Sequence, residues 1–177
     1  MGYKYDIALS FATENQELVE KVYHYLKQED LSVFFAPAQE CQSVVSAEHH
    51  SDIFYNIFGK QSRYVALFVS KDYIIKEVPM EEASIAFAKH GNNGTVVPIY
   101  LDGTNLPEAL FNPKRTSYFS SNNAAMIAAH LADKITTVKE KEKEKIEKNS
   151  KSHNTMNISG NIGKKQIFIQ EMKGNIT

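Results

Sequence analysis

No tryptophan occurs anywhere in this 177-residue chain, and cysteine occurs once, at Cys41. A lone thiol closes no intramolecular disulfide, so an oxidised, staple-dependent scaffold is excluded and a reducing, cytoplasmic setting is expected. Charge of one sign is also missing: 20 Lys and Arg stand against 21 Asp and Glu. A strong binder of phosphate backbones shows a basic excess, so nucleic acid is not an expected partner. No stretch approaches about 18 uncharged apolar residues, and the opening apolar run is short and carries charge, so neither a membrane span nor a secretion signal is expected. Several chemical motifs fail as well. In SGNIGKK, Gly160 and Gly163 stand too close for a phosphate loop, and no Ser or Thr follows the lysines. His49 and His50 are adjacent and point apart, so they do not chelate a metal as an i, i+4 pair does. Cys41 lacks a catalytic-cysteine motif, and Ser10 lies in LSFA, not in a nucleophile elbow. No metal centre or catalytic triad is therefore expected.

What the chain does have is length and apolar patterning. With 42% hydrophobic residues, it suffices for one domain of roughly 100 to 150 residues and a tail, burying about two thirds of its unfolded surface. YDIALSF at residues 5–11 reads as a strand covered on both faces. Thr13-Glu14-Asn15-Gln16 fits a capping box ahead of a helix carrying Leu18, Val22, Tyr25 and Leu26. A second strand is predicted over 31–35, then a loop over 38–45, then a short helix through Ile53 and Ile57 capped by Gly59. YVALFV at 64–69, the most hydrophobic run, belongs at the sheet's centre. A helix follows from about Pro79 to Gly91. A fourth strand over 95–101 contains Pro98, which pushes it toward an edge or a bulge. A short fifth strand over 116–119 precedes a helix using Ile127, Leu131 and Ile135. Alternating strands and helices imply a parallel α/β sheet with right-handed crossovers, and in such sheets ligands bind at the carboxyl ends of the strands.

Beyond residue 136 the composition shifts. Residues 137–154 contain KEKEKEKIEK, whose like charges at i and i+4 oppose a helix, and read as a charged flexible linker. Residues 155–177 repeat Gly-Asn-Ile around QIFIQ and read as a β-prone tail, a self-association element if it pairs with other copies.

Four blocks occur in order at βαβ spacing: YDIALSFATEN, a VFF strand, SRYVALFVSKDY and VPMEEASIAF. Together, over residues 3–136, they resemble the bacterial branch of the Toll/interleukin-1 receptor (TIR) domain family. Ser10-Phe11-Ala12 is similar to the family's turn after its opening strand, and Ser70 with Tyr73 to its Ser-x-x-Tyr turn after the third. The resemblance implies a flavodoxin-like five-stranded parallel sheet with helices on both faces. It also implies cleavage of NAD+ at the nicotinamide–ribose bond by a glutamate on the helix after the third strand. Counting from Tyr73 places Val78 where relatives carry Trp and Glu82 at the catalytic position, with Glu81 the runner-up. An alternative stays open, in which both glutamates merely favour the positive end of a helix begun at Pro79, worth about 0.3 to 1 kcal/mol.

One carboxylate suits this chemistry. Nicotinamide in NAD+ is already a cationic leaving group, so no general acid is required, unlike ordinary glycoside hydrolysis with its two carboxyl groups. Positive charge develops on the ribose, and Glu82 beside it supplies the stabilising charge. Ser10, Phe11, Ala12, Phe35, Pro37 and Val78 are the expected substrate-binding residues, with Phe11 and Phe35 as stacking surfaces. NAD+ is then a substrate, and no cofactor is implied. The resemblance further implies anti-phage or stress signalling and self-association through the TIR domain. The competing expectation is a non-enzymatic assembly module that recruits a separate effector, favoured by the missing Trp and the unusual tail.

Overall fold

The chain from Tyr5 to Phe11 has apolar residues on both sides of its pleat, and it forms β1 (Tyr5–Phe11) at the heart of the molecule. The computed structural model describes residues 2–45, 50–91, 93–111 and 118–173, with backbone alone at 50, 51 and 149–173. His49 and the predicted strand residues 116 and 117 lie outside the described residues, and of His50 only the backbone is described. The described elements after β1 are α1 (Gln16–Gln28), β2 (Val33–Phe34), α2 (Gln39–Val45), α3 (His50–Asn56), β3 (Ser62–Val69), α4 (Lys71–Ile75), α5 (Glu77–His90), β4 (Val96–Tyr100), β5 (Phe119–Ser120) and α6 (Ala124–Lys173). The strands pair in the order β2-β1-β3-β4-β5, every pair parallel. That is the flavodoxin-like order, and it puts β3 at the centre, as its hydrophobicity predicts. Residues 64–69 of β3 and all five residues of β4 are buried, so both faces of the sheet are covered.

Several local expectations are corrected. Thr13–Asn15 forms a 3-10 turn, and Asn15 makes no side-chain cap on α1, because its side chain is engaged by Ser70 instead. Tyr23, not Tyr25, faces the core of α1. Residues 39–45 are helical: Ala38 starts the turn by accepting hydrogen bonds from the amides of Cys41 and Gln42. Gly59 lies inside a π-helical turn, Ile57–Gln61, without a positive φ, and is not a C-cap. A Cβ there would come within 3.3 Å of Ile85, so the position serves close packing against α5.

Pro98 sits in an interior strand. Leu101 donates to the Val69 carbonyl and Ser121 donates to the Tyr100 carbonyl, so odd-numbered residues of β4 bond toward β3 and even-numbered ones toward β5. β5 pairs only with Ile99 and Tyr100, so the missing Pro98 donor faces the side where β5 has not yet begun.

The chain divides into two compact units, residues 1–135 and 136–177. In the first, Ile127, Leu131 and Ile135 of α6 are buried as their spacing predicts. In the second, both expectations of secondary structure are corrected. Residues 137–154 and 155–173 are helical, in place of a flexible linker and a β-prone tail; 174–177 lie outside the described residues. Oppositely charged neighbours offset the like-charge pairs, as in the Lys148–Glu144 ion pair at 3.8 Å. An isolated strand has no ladder to satisfy its backbone, whereas a helix satisfies its own. Among the described residues no helix is long and apolar enough to cross a membrane.

Candidate active site

The carboxyl end of β1 carries a serine in a run of apolar residues, and that serine organises the site. Ser10 is fully buried, so its hydroxyl requires partners inside the protein. One is the Tyr73 phenol oxygen, 2.7 Å away. Tyr73, also fully buried, donates to the Pro79 carbonyl at 2.9 Å. It is positioned by the turn that begins α4, where Ser70 Oγ accepts from the Tyr73 amide at 3.2 Å and donates to Asn15 Oδ1 at 2.8 Å. Lys76, between α4 and α5, reaches back to both carboxylate oxygens of Glu14 at 2.6 and 2.7 Å. Lys76 holds the Glu14 carboxyl below its usual range. The turn after β1 is thus fastened to the segment after β3 by Asn15–Ser70 and Glu14–Lys76.

Glu82 joins this cluster from α5. The helix begins at Glu77, two residues before Pro79, so Glu82 lies in its second turn rather than at its positive end. As a residue it keeps partial exposure. Burial pushes its carboxyl up to about 8; the influence of the Ser10 hydroxyl pulls the other way, and the nearby Glu81 charge adds to the rise. A carboxyl whose ionisation is opposed by burial is a mark of functional sites. Val78, one turn earlier on the same helix face, is 45% exposed, and Ile75 before it is 76% exposed. The position expected to hold an aromatic therefore presents a small side chain to solvent.

The predicted stacking surfaces separate. Phe35 is 2% exposed and stacked on both Phe11 (centroids 5.4 Å) and Tyr23 (5.0 Å), so it belongs to the core and offers no free face. Phe11 keeps partial exposure, Ala12 is fully buried, and Pro37 is partly exposed. The stack continues through the Tyr23 hydroxyl, which donates to Glu40 at 2.6 Å and so fixes α2 against α1. Burial pushes the Tyr23 phenol up to about 12. Beside this stack opens a cleft of about 360 Å³ lined by Ala36, Gln42, Ser43 and Val45. These residues were not foreseen, because 38–45 shows no period in the sequence. Tyr73 was foreseen as part of a turn but not as a partner of Ser10. Cys41 is buried and burial raises its thiol, which suits core packing and not nucleophilic attack.

A parallel sheet in this order, with a buried Ser10–Tyr73 pair where β1 and β3 end and Glu82 on the helix that follows, defines a doubly wound α/β domain. The family model described as "TIR domain" matches residues 7–135, and the chain belongs to that family. It is 31% identical over 124 residues to the 3′ cyclic ADP-D-ribose synthase AaTIR of Aquimarina amphilecti, an alignment covering 69% of this chain and 36% of that protein. The chain thus spans about a third of the length of that curated relative. Among solved structures, the TIR domain of the Toll-related receptor TRR-2 from Hydra magnipapillata superposes with a TM-score of 0.54 at 13% identity, covering 66% of this chain and 83% of that one; the likeness is one of fold.

Proposed function

We propose that this chain cleaves NAD+ at the bond between nicotinamide and ribose, with Glu82 as the residue that stabilises the reacting sugar. The observation that carries the reading is the place of Glu82, in the second turn of the helix after β3 and beyond the buried Ser10–Tyr73 pair, where burial pushes its carboxyl up to about 8. The relation to a cyclic ADP-ribose synthase supports it. The C1′–N bond breaks, and its electron pair leaves with nicotinamide, neutralising the ring's positive charge. The ribose is left electron-poor, and a carboxylate fixed beside it lowers the barrier by electrostatic stabilisation. Water then adds at C1′ and loses a proton, giving ADP-ribose. Alternatively an adenine or ribose atom of the same molecule adds and loses its proton, giving a cyclic product.

In the free protein burial favours the protonated carboxyl. The cationic nicotinamide and the developing ribose cation favour its ionised form, so the substrate draws out the charge that the reaction uses. Phe11 and Pro37, both partly exposed, are the substrate-facing residues, while Ala12 and Phe35 shape the site from the core. NAD+ is a substrate in this reading, and no resident cofactor is invoked. A role in bacterial anti-phage or stress signalling in the cytoplasm, with copies associating through the TIR domain, belongs to the same proposal.

A second reading has its own observation. Ile75 and Val78 are apolar, adjacent in the chain's turn from α4 to α5, and open to solvent; a module that binds another protein there needs no catalysis. Incubating the protein with NAD+ while following free nicotinamide and separating ADP-ribose from cyclic products decides between the two. Enzyme-dependent nicotinamide supports the first reading, and none at any protein concentration leaves the second.

A further inference from the structure

Lys76 belongs to two elements at once: it ends α4 and caps the start of α5, with an extended backbone between two helices. Its own peptide groups hold that joint loosely. The Lys76 amide donates to the Tyr73 carbonyl at 3.4 Å, and the Lys76 carbonyl accepts from the Met80 amide at 3.3 Å. Both are longer than the roughly 2.9 to 3.0 Å of a well-formed N–H···O bond, so the backbone alone leaves the angle between α4 and α5 soft.

What the backbone leaves open, side chains close from two sides. Inside, buried Tyr73 donates to the Pro79 carbonyl at 2.9 Å and meets Ser10 Oγ at 2.7 Å, which pins the first turn of α5 to the end of β1. Outside, the Lys76 ammonium donates to both Glu14 carboxylate oxygens at 2.7 and 2.6 Å, reaching 62 residues back along the chain to the turn after β1. One tie lets the helix pivot about it; two fix its direction. Glu82 lies further along the same helix, about 9 Å beyond Lys76 at about 1.5 Å per residue, so a swing of about 10° at the joint carries it by about 1.5 Å. Misplacement of a reacting group by about 1 Å costs on the order of 10² in rate.

We propose that Lys76 and Glu14 are positioning residues: their ion pair fixes the direction in which α5 leaves α4, and with it the place of Glu82 relative to the end of β1. Neither touches a reacting atom in this account. The proposal rests on Glu82 as the working carboxyl of the site and names what holds it in place. The two side chains are 35% and 48% exposed, and an ion pair so open to solvent adds little to global stability. Loss of the pair therefore moves the helix without unfolding the domain.

The test compares the parent full chain with Glu14→Gln, Lys76→Gln, the reversed pair Glu14→Lys with Lys76→Glu, and Lys21→Gln, which breaks a more exposed pair confined to α1. Amide hydrogen exchange without NAD+ is read by NMR at Met80, whose N–H bonds the Lys76 carbonyl. Exchange there should quicken about tenfold in each single variant at the clasp, with the Glu82 amide resonance displaced, while the thermal midpoint stays within about two degrees. Reversing the pair should restore both, and Lys21→Gln should change neither. In nicotinamide release, each single variant at the clasp should lower kcat about tenfold with KM within about twofold, and the reversed pair should recover it. Met80 exchange that matches the parent in both single variants overturns the proposal, as does a reversed pair that stays as impaired as either one. A raised KM at the parent kcat also overturns it, since Lys76 then binds substrate instead of placing Glu82. Exchange that moves and recovers as stated in a protein releasing no nicotinamide upholds the clasp and removes the enzyme. Glu82-dependent release with Met80 exchange unmoved does the reverse.

Discussion

A carboxyl pushed up to about 8 by burial has consequences that separate Glu82 from every exposed acid in the chain. Its unfolded value is about 4.3, so between that and about 8 the folded protein holds a proton that the unfolded chain has released. Glu82's contribution to stability is therefore complete below the lower value, declines as pH rises through this window, and is gone above it. Glu82→Gln removes the slope: the variant should be more stable than its parent at pH 9 by about 1 to 3 kcal/mol, and near equal at pH 4, in chemical denaturation at both values. A stabilising substitution at the residue proposed to carry the chemistry is the expected trade between stability and function. Catalysis should show the opposite dependence. If the carboxylate is the working form, kcat/KM for nicotinamide release rises with pH to a plateau with a midpoint near 8. The kcat limb should fall at lower pH, because the bound cationic ring favours the ionised acid. Coincident limbs near 4 contradict the buried-carboxyl account.

The elements divide into those legible in the sequence and those that depend on partners distant along the chain. β1 and β3 were readable because a parallel strand covered on both faces is a continuous apolar run, and residues 5–11 and 64–69 contain little else. α2 was not, because its seven residues carry one buried side chain, Cys41, and no repeating stripe. It is held instead by Tyr23 and Lys27 of α1 acting on Glu40. The helical run over 137–173 was read as linker and β-prone tail because local charge rules give opposing signals in the charged stretch and no core decides between them. Of the candidate site, Glu82 and Ser10 were expected from spacing and resemblance, but the Ser10–Tyr73 contact joins residues 63 apart in sequence and only the fold reveals it. The aromatic stack offers a check on the assignment of Phe35. Phe35→Ala should cost about 3 to 5 kcal/mol in urea denaturation, as an emptied core position does, whereas Phe11→Ala should cost less and raise KM for NAD+ instead. Equal stability losses with unchanged KM contradict the division between core and site.

At the scale of the whole molecule, the family match ends at residue 135, and residues 1–135 form a compact unit with their own core. Deleting 137–177 should leave the thermal unfolding midpoint of the remaining domain within a few degrees of the parent's, read by near-ultraviolet circular dichroism, since no buried side chain of that unit is removed. A collapse of the cooperative transition on deletion contradicts the division into units. The last unit has a different vulnerability. The helix through KEKEKEKIEK relies on exposed ion pairs, so its far-ultraviolet helicity should fall as salt rises, while the sheet domain is unaffected. In the proposed reading the chemistry belongs to one side chain of the first unit, Glu82. The direct measurement is the rate of nicotinamide release from NAD+ at pH 8 by the full chain, by Glu82→Gln and by Glu81→Gln. Loss on the order of 10² to 10³ in the Glu82 variant, with the Glu81 variant retaining most of the parent rate, is the predicted result. Release that survives in Glu82→Gln, or disappears in Glu81→Gln alone, contradicts the account.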